Sequence, residues 1–284
     1  MKKFHIAILL MLAAVASVNA GKIEKVSETV SPKVAKTMDI EGDLGAGKFN
    51  ITTDSDQKEL AIFDIQYDEK AVKYDVDYNE KGNKGYLTFE SSRRHNINFD
   101  GAENKWDIVF STKYESSLNL DIGACDAKID LGGLPLKELC VNLGAASGVI
   151  EFSKPNPSRL EEFKMDAGAS SLDMEMIGNA NFSRFDFSGG VGSFDLDFRG
   201  EYKGESEINI EVGLGSADIT LPANMPIRVE TEGANWLSSV DFHHENLAKI
   251  DDGEYESKDF KDAKNRIILK LEVGLGSVDL YWKE

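Results

Sequence analysis

The sequence predicts an all-β protein, a parallel β-solenoid (β-helix) with an antiparallel β cap at its N-terminal end. Three observations lead to this prediction. A short glycine-centred motif recurs seven times along the chain. Apolar and polar residues alternate on both sides of each copy, which is typical of strands that have one buried face. Within the main block the copies are 21, 24, 22 and 23 residues apart, and a near-constant period of about 22 residues indicates stacked repeats.

Each copy of the motif is a glycine, a small or aliphatic residue, another small residue and usually a serine. The first glycines of the seven copies are Gly45, Gly123, Gly144, Gly168, Gly190, Gly213 and Gly274. We interpret them as structural corners between two strands, where the missing Cβ permits a positive φ and a close approach of successive bends. Two short strands cannot bury their inner face alone, so copies stacked ~4.8 Å apart would form one continuous core. The alternative is a β-sandwich of antiparallel hairpins, which would also alternate but would not keep glycine in one register.

Residues 1–20 have the features of a secretory signal peptide. Lys2 and Lys3 precede a ten-residue apolar run, and small residues at Val18 and Ala20 precede the expected cleavage site at Gly21. The apolar run is too short to span a bilayer, and no later stretch approaches the ~18 residues that a span requires. We therefore expect an extracytoplasmic protein, periplasmic or secreted, with no membrane span after the signal is removed.

The mature chain divides into two predicted parts. Residues 21–117 form an N-terminal β region with the lead repeat and four antiparallel cap strands, which would cover the open end of the stack. The cap strands are expected within 60–65, 72–76, 86–89 and 106–110. Residues 118–284 form the solenoid repeat domain, in which an insertion over 243–266 interrupts the repeats as a surface loop or lid. Residues 281–284 are expected to close the far end of the stack, and a distorted eighth copy surrounds Gly233.

Composition and cysteine content exclude several classes of function. The chain has 284 residues and a net charge of −18, and such an acidic surface repels nucleic acid. Two cysteines cannot build a disulfide scaffold or a thiolate zinc site. In stacked repeats Cys125 and Cys140 would lie roughly 15–20 Å apart at ~3.3 Å per residue, so no disulfide between them is expected. His243-His244-Glu245 is interpreted as an exposed loop, because consecutive histidines on a strand would point to opposite faces.

The most informative polar feature is a set of carboxylates at outward positions of the second strand of each repeat. They are Asp130, Glu151, Asp173, Glu175, Asp195, Asp197 and Asp218. Like charges opposite each other on neighbouring strands destabilise the pairing. Either solvent and salt screen them or a bound cation does, and among metals Ca²⁺ suits carboxylate oxygens. We predict a candidate binding face here, with no required cofactor, no dedicated metal centre and no catalytic residues.

Several segments carry a resemblance to the toast-rack family, the domain shared with the C-terminal half of cell-wall-active-antibiotic-response proteins. They are Gly45–Gly47, Gly123-Ala124, Asp130–Leu134, Asn179–Asn181, Gly189–Ser193, Leu196–Gly200, Gly213–Gly215 and Gly274–Ser277. The resemblance implies a bacterial envelope protein with stacked β structure and no established catalytic residues. Antibiotic-response members carry membrane helices ahead of this domain, whereas this chain has a predicted signal peptide, so a secreted form is expected.

These observations together predict a secreted, non-catalytic envelope protein that presents a rigid acidic β surface for binding, sensing or adhesion. The expected partner is an envelope protein or a polysaccharide. One alternative is an extracellular polysaccharide-active β-helix enzyme, which would need paired carboxylates in a cleft or Ca²⁺ beside a basic residue. A second alternative is a purely structural spacer.

Overall fold

The computed structural model of the chain describes residues 22–94, 102–232, 238–243 and 247–284. The predicted signal peptide, the motif copy at Gly233, and His244 with Glu245 lie outside these residues. The seventeen strands are, in chain order, β1 (Ile23–Val30), β2 (Thr37–Leu44), β3 (Gly47–Asp54), β4 (Ala61–Asp68), β5 (Val72–Lys81), β6 (Lys84–Arg93), β7 (Asn104–Ser111), β8 (Glu115–Asp130), β9 (Leu136–Glu151), β10 (Leu160–Glu175), β11 (Phe182–Asp197), β12 (Glu205–Pro222), β13 (Ile227–Glu232), β14 (Ser238–His243), β15 (Leu247–Asp251), β16 (Glu254–Ser257) and β17 (Arg266–Lys283). Two short 3-10 turns accompany them, at Ile177–Ala180 and Phe260–Asp262. In the ranges given above, no helix is long and apolar enough to cross a membrane.

The repeats stack as the sequence predicts. Strands β8 to β12 and β17 each bend at the motif glycine into a first arm and a second arm, and each bent strand is one rung of the stack. Consecutive rungs pair in parallel with equivalent residues aligned. One file of aligned core residues is Leu118, Leu139, Phe163, Phe185, Ile208 and Leu269, and each is at most 2% exposed. The β-solenoid is thus confirmed and the β-sandwich is excluded.

The N-terminal end contains the four predicted cap strands, β4 to β7. Strands β5 and β6 pair antiparallel, as do β4 and β7, and β1, which the sequence did not predict, adds antiparallel to β4. The lead repeat, β2 and β3, pairs in parallel with the two arms of β8. Strands β6 and β7 pair in parallel with β2 and β3 in turn. The cap is therefore antiparallel at its outer strands, while β6 and β7 continue the parallel stack as an additional rung.

The far end differs from expectation in two ways. Residues 281–284 do not close the stack, because β17 lies between β12 and a terminal rung formed by β13 and β14. After β12 the chain skips the adjacent rung position and forms β13 and β14 one rung further on. It then returns as β17, which occupies the skipped position. The 243–266 insertion is not simply a loop or lid either. It contains β15 and β16, an antiparallel hairpin that extends the first-arm sheet by pairing with β13.

The corner glycines allow the rungs to approach each other closely. A Cβ at Gly168, Gly190 or Gly274 would lie 2.5 Å from the carbonyl oxygen of the corner glycine in the preceding rung, a distance that real Cβ atoms do not adopt. The expected positive φ is not found at the first glycine of any of the seven copies that the structure describes. It occurs two residues further on, at Gly215 and Gly276, where φ is +143° and +146°.

Short connecting segments close the third side of the stack, and buried asparagines hold them. The Asn156 amide donates to the carbonyl oxygens of Leu136 and Ala180, at 3.0 and 3.2 Å. The Asn179 amide donates to the Phe152 carbonyl oxygen at 2.9 Å. Because an unpaired buried carbonyl is costly, these side chains stabilise the connecting segments after β9 and β10 against their neighbours.

Candidate functional site

The outward surface of the second arms carries an uninterrupted row of aspartates, which we call the aspartate file. Its members are aligned across five neighbouring strands, β10, β11, β12, β17 and β14. They are Asp173, Asp195, Asp218, Asp279 and Asp241. Their neighbours along each strand point inward, as Leu196 and Ile219 do at 0% exposure, because successive side chains of a strand alternate between faces. The spacing between strands places one carboxylate every ~4.8 Å.

The sequence pattern predicted the first three members of this file but not Asp279 and Asp241. Asp279 occupies the same repeat position as Asp218, so the seventh motif copy already carried the signal. Asp241 could not be found in this way. Glu232 pairs with Glu272 before the bend, and Ser238 pairs with Gly276 after it. Five residues separate these positions in the terminal rung but only three separate them in β17. Positions counted from the first arm of the terminal rung are therefore displaced by two in its second arm.

The other predicted carboxylates lie two residues further along the second arms. Asp130 and Glu175 flank Glu151 in register. Asp130 is engaged within the fold, because its carboxylate accepts hydrogen bonds from the Gly132 N–H at 2.8 Å and the Ser153 hydroxyl at 2.7 Å. This contact holds the turn after β8 against the next rung.

Asp197 is also engaged within the fold. Its carboxylate accepts hydrogen bonds from the Arg199 guanidinium, at 2.7 Å from Nη2 and 3.0 Å from Nε, and from the Arg199 backbone N–H at 2.9 Å. Of the seven predicted carboxylates, Asp130 and Asp197 therefore stabilise turns. No ion pair joins Asp173, Asp195 or Asp218 to a basic side chain in the described residues.

Burial and mutual repulsion both act on the ionisation of this face. Partial burial raises the pKa of Asp195, and the neighbouring charges of Asp173 and Asp218 raise it further. Burial likewise raises the pKa of Glu151, with Asp130 and Glu175 adding to the effect. The protein thus holds these carboxylates beside each other without supplying enough positive charge to compensate.

The file borders an open groove of about 380 Å³. Asp173, Asp195 and Asp197 line it together with the basic side chains of Arg199 and Lys283. Throughout the ranges that the structure describes, no three His, Cys, Asp or Glu side chains come close enough together to hold a metal ion. The carboxylates are arranged in rows along a sheet rather than converging on one point.

His243 lies at the end of the file on strand β14, not in the loop that the sequence suggested. Its Nε2 is 2.9 Å from Asp279 Oδ1, and its ring stacks on the Tyr281 ring at a centroid distance of 4.5 Å. Because Tyr281 belongs to β17, both contacts fasten the terminal rung to the stack.

The outward surface of the first arms has a different charge pattern. Arg184 pairs with Asp186 at 2.7 Å and with Glu207 at 3.2 Å, and Lys270 also contacts Glu207 at 3.2 Å. Burial raises the pKa of Asp186, but hydrogen bonds from Arg184 and Asn209 outweigh it and lower the pKa overall. Asp186 and Glu207 are thus paired with basic side chains, whereas Asp173, Asp195 and Asp218 of the aspartate file have no ion pair to a basic side chain within the residues that the structure describes.

Both cysteines are free thiols. Cys125 in β8 aligns with Ala146 in β9, and Cys140 in β9 aligns with Asn119 in β8. The two cysteines therefore lie six residues apart along neighbouring rungs. Burial raises the pKa of both thiols, that of Cys125 to about 11, so neither is a reactive thiolate at neutral pH.

Comparison with known proteins identifies the family. A family model described as the N-terminal domain of toast_rack, DUF2154, matches residues 19–161. The chain belongs to the toast-rack family. The matched part of this toast-rack chain covers the lead repeat, the cap and the rungs up to the start of β10. No curated protein matches the chain.

Three solved structures illustrate the likeness of this toast-rack protein to others. A candidate cell adhesion protein from Clostridium sporogenes shares 21% identity, over 92% of this chain and 100% of that chain, with a TM-score of 0.49. A candidate adhesin from Bacteroides fragilis shares 12% identity, over 91% and 97% of the two chains, with a TM-score of 0.36. A candidate lipid binding protein from Parabacteroides distasonis shares 13% identity, over 92% and 97%, with a TM-score of 0.35. Similarity at this level does not transfer a function to the toast-rack chain.

Proposed function

We propose that this protein is a non-catalytic, extracytoplasmic binding protein that presents the aspartate file to a cationic partner in the bacterial envelope. The observation that carries the proposal is the unbroken alignment of five aspartates on adjacent strands. The partner is a protein with clustered Lys or Arg side chains, or an envelope polysaccharide that carries cations. The predicted signal peptide supports the extracytoplasmic location.

The energetic argument follows from the uncompensated charge. Carboxylates at paired positions of adjacent strands repel each other and destabilise the sheet, by an amount on the order of the ~0.2–1 kcal/mol that cross-strand pairs contribute. A cationic partner that contacts several of them removes this repulsion, so binding and fold stability are coupled. A stacked sheet also holds the carboxylates at a fixed spacing before the partner binds. Little conformational entropy is therefore lost in ordering them on binding.

The geometry favours binding over catalysis. Glycoside hydrolysis needs two carboxylates that face each other across the bond to be cleaved. The file instead places its carboxylates side by side on one face, and Asp173 and Asp195 line the open groove together with Arg199 and Lys283. We therefore assign no reaction to it.

A binding titration tests the proposal. Mature protein (residues 21–284) is titrated with a fluorescent decalysine peptide at low and at physiological salt. The triple variant Asp173→Asn/Asp195→Asn/Asp218→Asn is expected to weaken binding at least fivefold. The matched control, Asp64→Asn/Asp75→Asn/Asp77→Asn, removes the same charge from exposed positions of β4 and β5 and is expected to have little effect. Equal weakening by both variants would show that only net charge matters and would refute the proposal.

Calcium is a separate prediction for the same face. If Ca²⁺ bridges neighbouring carboxylates, millimolar Ca²⁺ will raise the melting temperature of the wild type and not that of the triple file variant. An unchanged melting temperature in the wild type would remove Ca²⁺ as a ligand.

A further inference from the structure

The bend between the two arms carries an exposed apolar row on three adjacent rungs, which we call the corner ridge. It consists of Val191, Leu214 and Leu275, aligned across β11, β12 and β17. These residues are 54%, 49% and 45% exposed. Six large apolar residues are exposed in the described part of the chain, and these three are the ones in register.

The fold itself shows that the corner does not require large side chains. The same motif position holds Ala124, Ala145 and Ala169 in β8, β9 and β10, which align in the same file. Those three rungs also bend at the motif glycine and stack in parallel register, with only a methyl group at this position. The valine and the two leucines therefore add exposed apolar surface that folding does not need.

A second difference separates the two kinds of corner. In the ridge rungs the next residue is Gly192, Gly215 or Gly276, where a Cβ would lie within 2 Å of a carbonyl oxygen of the preceding rung. In the alanine rungs that residue is Cys125, Ala146 or Ser170. The large outward residue and the glycine after it occur together in three of three ridge rungs.

Acidic side chains flank the ridge on both sides. On the first-arm side, Glu211 and Glu272 are exposed and aligned with each other. On the second-arm side, a row of small serines separates the ridge from the aspartate file. The complementary surface is apolar along its middle and basic along both edges. A second copy of this chain does not fit that description, because the net charge of −18 opposes bringing two ridges together.

We infer that the corner ridge is a docking surface for a cationic amphipathic segment of a partner protein, with apolar side chains along the ridge and Lys or Arg on its flanks. The inference rests on the proposed function in one respect, that the partner is cationic. It adds a specific contact, in which the three apolar side chains of the ridge are buried and the acidic rows on both sides orient the segment.

Two probe peptides separate the apolar contact from the charge contact. The first is a helical 14-residue peptide with leucine on one face and lysine on the flanks, and the second replaces every leucine with serine. Affinities for the mature protein are measured by fluorescence anisotropy. We expect the leucine peptide to bind about tenfold more tightly than the serine peptide, since the half-exposed ridge side chains have only part of their surface left to bury.

The decisive variant is Val191→Ala/Leu214→Ala/Leu275→Ala, which gives the ridge rungs the residue that the alanine rungs already have. It is expected to abolish the tenfold advantage, leave serine-peptide binding unchanged and keep a single cooperative unfolding transition, with a modest fall in melting temperature because each side chain is half buried. The matched control, Ile23→Ala/Val34→Ala/Ile250→Ala, truncates the other three exposed apolar residues and is expected to keep the advantage.

The alternative outcomes are distinguishable. An advantage that survives in the ridge variant, or is lost equally in the control, overturns the inference. If neither peptide binds, the proposed cationic partner itself is wrong. Concentration-dependent self-association or binding to phosphatidylcholine vesicles that the ridge variant abolishes would instead assign the ridge to a second copy or to a lipid surface, and would also overturn it.

Discussion

The stacking of the corners can be tested most directly with Gly215→Ala. Gly215 follows the ridge residue of β12, has a φ of +143°, and a Cβ there would lie 1.9 Å from the Gly192 carbonyl oxygen in the neighbouring rung. Alanine therefore has to adopt an unfavourable backbone conformation and also separate two rungs that are hydrogen-bonded to each other.

The expected loss of stability has two parts. A non-glycine residue in a sparsely populated φ region costs about 1–3 kcal/mol. Forcing an extra methyl group into a closely packed site costs about 1–3 kcal/mol more. The combined loss of about 2–6 kcal/mol is a large fraction of the stability of an ordinary domain. The flanking rungs resist relaxation, because β12 is paired along its length with both β11 and β17.

Urea unfolding followed by tryptophan fluorescence measures this loss, provided that the slope of the transition is unchanged. Gly123→Ala is the matched control. It also adds a methyl group at a corner, but its nearest atom outside the adjoining residues is the Gly45 carbonyl oxygen at 3.2 Å, and its φ is not positive. We expect the control to lose less than about 1 kcal/mol. A loss below about 1 kcal/mol for Gly215→Ala, or equal losses for both variants, would refute the close-approach account of the corners.

Three further predictions concern the aspartate file, the asparagines and the thiols. Asp195→Asn is expected to stabilise the protein at pH 7 by ~0.2–1 kcal/mol, the size of a cross-strand pair effect, because burial and its file neighbours raise the pKa of Asp195. A carboxylate pKa that is raised in the folded state makes the wild type lose stability as the pH rises from the unfolded pKa of ~3.9. The gain should therefore shrink as the pH falls and be absent at about pH 3, and urea midpoints at pH 7 and at about pH 3 check this. Asn156→Ala removes amide donors that satisfy two carbonyl oxygens and should cost about 2–4 kcal/mol, and a midpoint close to the wild type would contradict the buried role. Cys125 and Cys140 should react slowly with Ellman's reagent in the native protein and quickly in urea, whereas fast native labelling, or intact masses that show a disulfide, would contradict the structure.

Local pattern was sufficient to predict the architecture of the rungs. Ile40 and Leu118, or Phe163 and Phe185, have the same position relative to a corner glycine, and the structure aligns each pair. The prediction succeeded because every rung must bury one face of two short strands against its neighbours. That requirement places apolar residues at alternate positions and at the same distance from each corner glycine, so the pattern is visible in the sequence.

The candidate face was only partly predictable. Alternation placed Asp195 and Asp218 outward, but it gave equal weight to Asp130 and Asp197, which the structure uses to hold turns through Ser153 and Arg199. Whether a carboxylate is free or engaged depends on groups in other rungs and in the connecting segments. The spacing of residues along a single strand does not contain that information.

The sequence by itself therefore determined what one rung looks like: two strands, a glycine corner, an apolar inner face and an acidic outer face. Only the tertiary structure decided the order in which rungs meet, with β17 between β12 and the terminal rung and with β6 and β7 extending the other end. The physical reason is that backbone hydrogen bonds between parallel strands are the same whichever rung supplies them. Alternation fixes which face of a strand is buried, whereas the choice of neighbour depends on packing between residues that are far apart in the chain.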